Sequence, residues 1–189
     1  MNICVYCSAN NNIADEYKAL AAELGSWIAE SGNTLVYGGA TGGLMTAVSD
    51  AAAAHHGDVT GVIPQRIISA GREAANCTEQ HIVRTMNERK QRMKQLADMF
   101  ICLPGSYGTL DEMFDVIASG TVGEHNKPLV ILNYQGFYQP LIEQIKAMKE
   151  KAFIPKQENY SPLIVTTLDE LIDKCQKIQK QFEARSRKQ

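Results

Sequence analysis

The chain has no apolar run near the ~20 residues that a membrane-crossing helix needs, and no charge of one sign dominates it. Lys and Arg total 19 against 21 Asp and Glu, for a formal net charge of −2. A balance of that kind offers nothing to a polyanion, so neither nucleic acid nor a membrane surface is an expected partner. Met1–Asn10 lacks the basic start and small-residue cleavage site of a secretory signal, which makes a cytoplasmic location the expectation. Histidine is scarce, and the four at 55, 56, 81 and 125 make no ligand-spaced set with cysteine or acid. No metal site is expected from such a pattern.

Cysteine is few and odd in number, five in 189 residues, and most of the five lie inside apolar segments. Reduced, buried thiols fit that usage better than a disulfide framework. The one C-x-x-C, Cys4 and Cys7, falls within the strand-like "NICVYC". Residues three apart on a strand point to opposite faces, so the pair reads as two core thiols. A redox pair would sit at a helix start instead.

What is present is alternation. Short β-branched runs at Ile3–Cys7, Thr34–Tyr37, Val59–Ile63, His81–Val83, Met99–Leu103, Leu129–Leu132 and Leu163–Thr166 are interleaved with helical patterns. The helices are read at Asp15–Glu30, Gly43–His55, Met86–Ala97, Leu110–Ala118, Phe137–Lys149 and Leu168–Phe182. Continuously apolar strands alternating with helices predict an α/β fold, a mostly parallel sheet of about six or seven strands with helices on both faces. A length of 189 residues, with neither linker nor repeat, suits one domain burying roughly 70% of its unfolded surface. The basic end "EARSRKQ" reads as a frayed helix terminus.

Ligands of such sheets bind beyond the carboxyl ends of the strands, so the turns that follow strands carry the interest. "YGGATGGLM" sets Gly38, Gly39, Gly42 and Gly43 between a strand and a helix. Glycine admits positive φ and close approach of a ligand, and a helix start offers N–H groups to an anion. Ala40 breaks G-x-G-x-x-G, and Leu44 stands where a P-loop needs Lys, which speaks against dinucleotide and P-loop nucleotide enzymes. A plain tight turn remains the competing reading. "LPGSYGTLDE", 103–112, repeats the design. There Thr109-Leu110-Asp111-Glu112 is also a T-x-x-E capping box, in which Glu112 would only bond back to the Thr109 N–H. Capping and chemistry both remain open on this stretch. In "MNERKQRMKQLAD" the apolar stripe Met86, Met93, Leu96, Ala97 is flanked by Arg89 and Lys90. Inward-turned cations need an anion to meet them, or else snorkel to the rim.

These segments carry a resemblance. "LPGSYGTLDE" resembles the P-G-G-x-G-T-x-x-E signature of the LOG ("Lonely Guy") family, the cytokinin riboside 5′-monophosphate phosphoribohydrolases. "MNERK" is similar to that family's M-H-E-R-K, and "LVYGGATGGLM" to its L-V-Y-G-G-G-x-x-G-L-M. "YCSAN", "GVIP" at 61–64, "KP" at 127–128 and "GFYQPL" at 136–141 extend the likeness over residues 3 to 172. It implies a Rossmann-like three-layer fold, a homodimer, and hydrolysis of a purine nucleoside 5′-monophosphate to free base and ribose 5-phosphate without a cofactor. By motif it implies Arg89 and Glu112 as the catalytic pair. Gly105, Ser106, Tyr107, Gly108 and Thr109 would form the phosphate cradle with Arg89 and Lys90 beside it. Ser8, Gly38, Gly39 and Glu73 would be further substrate contacts. The chain departs from the pattern at Ser106, Ala40 and Asn87. It departs again at "ASGTVGEH", 118–125, where relatives read T-W-A-Q-L-G-x-H, which leaves prenylated adenine and plain AMP equally open as substrates. A non-catalytic nucleotide or cofactor carrier of the same fold is the alternative.

Overall fold

A computed structural model describes residues 1–186. Seven strands form one sheet: β1 Asn2–Tyr6, β2 Thr34–Tyr37, β3 Val59–Pro64, β4 Glu79–Val83, β5 Met99–Cys102, β6 Leu129–Leu132 and β7 Leu163–Val165. Seven helices connect and follow them: α1 Asp15–Glu30, α2 Gly43–Ala54, α3 Gln65–Ser69, α4 Met86–Leu96, α5 Tyr107–Thr121, α6 Gln139–Glu150 and α7 Leu168–Ser186. Every strand pairing is parallel, in the order β4-β3-β2-β1-β5-β6-β7.

Because side chains alternate along each strand, the sheet feeds two separate cores. Ile3, Val5 and Cys7 join Leu20 and Leu24 of α1, Leu44 and Val48 of α2 and Leu171 of α7 on one face. Cys4 and Tyr6 join Met93 of α4, Met113 and Val116 of α5 and Tyr138 on the other. Each fully buried aliphatic side chain of these layers contributes roughly 1.5–3 kcal/mol. Cys4 and Cys7 therefore lie in opposite layers, as their spacing requires. Burial pushes both thiols far above the usual range, which keeps them protonated and inert.

The strand order reverses between β1 and β5, whose successors run to opposite edges. That switch point opens a crevice beyond the carboxyl ends of the two strands. The turn "CSANN" and the turn "LPGS" face each other across it.

Element limits differ from the sequence reading in places with identifiable causes. Helix α3 is only five residues long, too short to show a helical period. The last helix is described to Ser186 rather than ending at Phe182. The basic end expected to fray falls partly at 187–189, outside the described residues. The consequential difference is α5, which starts at Tyr107 rather than Leu110. Thr109 is thus inside the helix, and the N-cap is Ser106.

Candidate active site

That early start excludes the capping reading of the turn after β5. Thr109 is buried within the first turn of α5, and Glu112, one turn on, points inward and is 3% exposed. Its carboxylate makes no capping bond. It accepts a 2.5 Å hydrogen bond from Nη1 of Arg89, which α4 brings in from the neighbouring element. Arg89 is itself 6% exposed, and its Nε donates to the Val62 carbonyl at the end of β3 (3.0 Å). Burial pushes the Glu112 carboxyl above the usual carboxylate range, and the facing guanidinium opposes the shift. A buried charge of this kind is retained only when paired.

The guanidinium lies over the turn after β2. A Cβ built on Gly38 would stand 1.8 Å from Arg89 Nη2, so glycine there makes room for an arginine. The rest of that turn is likewise filled by the protein itself. The N–H of Gly43 donates to Asn11 Oδ1 (2.9 Å), that of Leu44 to the Ser8 carbonyl (2.9 Å) and that of Gly42 to Thr46 Oγ1 (2.7 Å). Cβ atoms on Gly42 and Gly43 would meet the carbonyl oxygens of Ala9 and Asn10 at 2.3 Å. The anion-cradling start expected for this helix is therefore closed by the loop after β1, and the tight-turn reading describes it better.

The start of α5 is different. Ser106 occupies the N-cap in an extended conformation and makes no side-chain cap bond. With Ser8, Pro104 and Gly105 it lines a cavity of about 180 Å³, walled by Tyr17 and Phe137, at the sheet's switch point. An uncapped helix start facing a cavity suits an anion. Gly105 cannot carry a side chain, because its Cβ would meet Thr109 Oγ1 at 2.1 Å.

The remaining expected residues fall in different places. Tyr107 is 91% exposed and Gly108 is exposed. Lys90 reaches the acids of α5, bonding Asp111 Oδ1 (2.8 Å) with Asp115 Oδ1 at 3.8 Å. The bond to Asp111 holds its pKa up. Gly39, at φ 65°, accepts the Ala74 N–H, and Glu73 sits exposed where its backbone bridges Ala40. That segment lies along the turn after β2. The sequence reading did not anticipate Val62 and Asp111 as partners of the two cations, because a backbone carbonyl and a surface acid leave no signal until α4 and α5 are packed together. Nor did it anticipate Thr85-Met86-Asn87-Glu88, another T-x-x-E at the start of α4. Here the Thr85 hydroxyl does accept the Glu88 N–H. Among the described residues no cluster of His, Cys, Asp and Glu is arranged to hold a metal, and no helix is long and apolar enough to cross a membrane.

Residues 45–175 match the family described as possible lysine decarboxylase. The chain is 37% identical over 183 residues, 96% of its length and 74% of the relative's, to a probable cytokinin riboside 5′-monophosphate phosphoribohydrolase, LOGL2, of Oryza sativa subsp. japonica. It is 42% identical over 155 residues, 81% of its length and 78% of the relative's, to the cytokinin riboside 5′-monophosphate phosphoribohydrolase of Rhodococcoides fascians. In fold it is similar to a molybdenum cofactor binding protein from Rippkaea orientalis, at TM-score 0.71 and 21% identity over 94% of this chain and 96% of that one. On the family match and these identities together, the chain belongs to the LOG family.

Proposed function

We propose that the protein is a nucleoside 5′-monophosphate phosphoribohydrolase, cleaving the N-glycosidic bond of a purine nucleotide to free base and ribose 5-phosphate. The observation that carries this reading is Glu112, a buried carboxylate held by Arg89 where its motif would otherwise have made a helix cap. A carrier needs a phosphate cradle but has no use for that carboxylate. The names of the relatives support the same chemistry.

In this reading the 5′-phosphate sits at the uncapped start of α5, among Gly105, Ser106 and the following N–H groups, with Ser8 across the crevice. Binding energy gathered there orients the ribose toward the second turn of the helix. Breaking the C1′–N bond leaves its electron pair on the base and develops positive charge on the ribose ring. The Glu112 carboxylate stabilises that charge and takes a proton from water as the water oxygen bonds to C1′. The base nitrogen takes up one proton from solvent as it leaves and Glu112 returns the proton it took, so one water is consumed and the hydrolysis balances. Arg89 holds the carboxylate in place. Lys90, committed to Asp111, acts through the packing of α4 on α5.

We read the chain as a single nucleotide-binding domain of a cytoplasmic homodimer. Five free thiols, four of them buried, suit a reducing compartment. Tyr107 and Phe114, seven residues apart and both exposed on α5, give an apolar face that suits a second copy.

The test is a nucleotide panel of AMP, N6-isopentenyl-AMP, GMP, IMP and CMP with adenosine and ATP as controls, read by mass spectrometry for free base and ribose 5-phosphate. Release from a monophosphate but not from adenosine is expected. AMP binding without release from any member would overturn the enzyme in favour of the carrier.

A further inference from the structure

Tyr138 opens the segment that leads into α6, more than 25 residues after Glu112, and is 3% exposed. Its backbone N–H donates to Asn133 Oδ1 (2.7 Å), and its hydroxyl donates to the Leu103 carbonyl (2.8 Å). Cys102 Sγ lies 3.4 Å from the same oxygen. The hydroxyl therefore anchors the carbonyl of the residue before Pro104. Proline has no N–H to close that turn itself, and the side chain holds it from outside. Phe137, the neighbouring residue, walls the cavity that Gly105 and Ser106 line.

We infer that Tyr138 is a positioning residue for phosphate recognition, its hydroxyl fixing the Leu103–Gly105 turn so that the first turn of α5 is aimed into the cavity. This rests on the phosphate reading of that cavity given above. The residue touches no reacting atom. It sets the direction in which the N–H groups after Gly105 point, and a small tilt of such donors costs much of a charge-assisted hydrogen bond. Burial keeps the hydroxyl protonated far above its usual range, so it remains a donor at every working pH.

The test compares AMP and adenosine binding by calorimetry in the wild-type chain, Tyr138→Phe and Cys102→Ala, with turnover and melting temperature alongside. Tyr138→Phe should weaken AMP binding about tenfold, the effect of one well-placed hydrogen bond, and leave adenosine binding unchanged. In kinetics KM for AMP rises and kcat stays within about threefold. Cys102→Ala, which removes the sulfur and leaves the bridge, should keep wild-type AMP affinity. Equal weakening for AMP and adenosine, or a lower melting temperature with AMP affinity intact, would overturn the inference. So would a wild-type chain that binds AMP no better than adenosine. Wild-type AMP binding without base release sinks the enzymatic reading alone, since the binding comparison still applies. If Tyr138→Phe does not fold, Asn133→Ser carries the same comparison. It loosens the Tyr138 backbone anchor and keeps the ring, and unchanged AMP affinity there overturns the inference too.

Discussion

Gly38 and Arg89 share one space: the place a Cβ on Gly38 would take lies 1.8 Å from Arg89 Nη2. The glycine of the turn after β2 and the arginine of α4 thus form one device, which delivers a buried guanidinium to Glu112. Gly38→Ala should displace the guanidinium and cut turnover about 100-fold or more. Because it acts through Arg89, adding it to Arg89→Ala should cost almost nothing further. A double-mutant cycle on kcat checks this, and additive losses would show that Gly38 serves something else.

Glu112→Gln keeps the shape of the side chain and removes its charge. Turnover should be lost with AMP binding retained, and stability should fall by about 3–5 kcal/mol because Arg89 is left as an uncompensated buried charge. The raised carboxyl pKa places the acid limb of the kcat profile above the ordinary carboxylate range. Protonation as pH falls through that pKa removes the stabilising charge. A pH–rate profile whose acid limb lies at or below pH 4.5 would contradict this assignment.

Lys90→Ala tests the placement of the second cation. Since Lys90 is bonded to Asp111 of α5, its loss should change KM for AMP less than about threefold. Exposed or half-exposed ion pairs are worth about 0–1 kcal/mol, so stability should change little as well. A large rise in KM that spares kcat would return Lys90 to the phosphate.

His125 carries a pH dependence of stability. Its Nδ1 accepts the Lys127 N–H (3.2 Å), its other ring nitrogen meets the Val116 carbonyl (3.0 Å), and its ring packs against Phe100 and Tyr160. Burial holds its pKa below the ordinary 6.5. Protons bind the unfolded chain more readily, so the contribution is complete above pH 6.5 and is lost as pH falls through the lowered folded value. Urea midpoints measured from pH 8 to 5 should drop, and His125→Gln should flatten the drop.

Thr167→Ala should cost about 1 kcal/mol as a lost helix cap. Thr109→Ala should cost stability through lost packing on Gly105 with no cap involved. Thermal melts of the two variants, each combined with Gln at the glutamate three residues on, separate the cases. Thr167 should couple to Glu170, and Thr109 should not couple to Glu112.

The layered α/β fold, the parallel sheet and the opposite facing of Cys4 and Cys7 were legible in the sequence, because they follow from alternation and side-chain period. So was the resemblance carried by Gly105–Glu112 and Met86–Lys90, since local motifs are contiguous. The fate of Lys90 and of the glycine turn after β2 was not, because both depend on what packs against them: Asp111 in one case, Arg89 and the Ala9–Asn11 loop in the other. The tetrapeptide Thr-Leu-Asp-Glu states the division most plainly, as it occurs twice. At 167–170 it is a helix cap: the Thr167 hydroxyl accepts the Glu170 N–H, and the Glu170 carboxylate accepts the N–H groups of Thr166 and Thr167. At 109–112 the helix has already begun at Tyr107, Thr109 is buried, and Glu112 meets Arg89 instead. The same four residues cap a helix in one place and lie within a helix in the other. Only the packing of α4 beside α5, with a buried guanidinium needing an anion, decided which glutamate was buried in an ion pair.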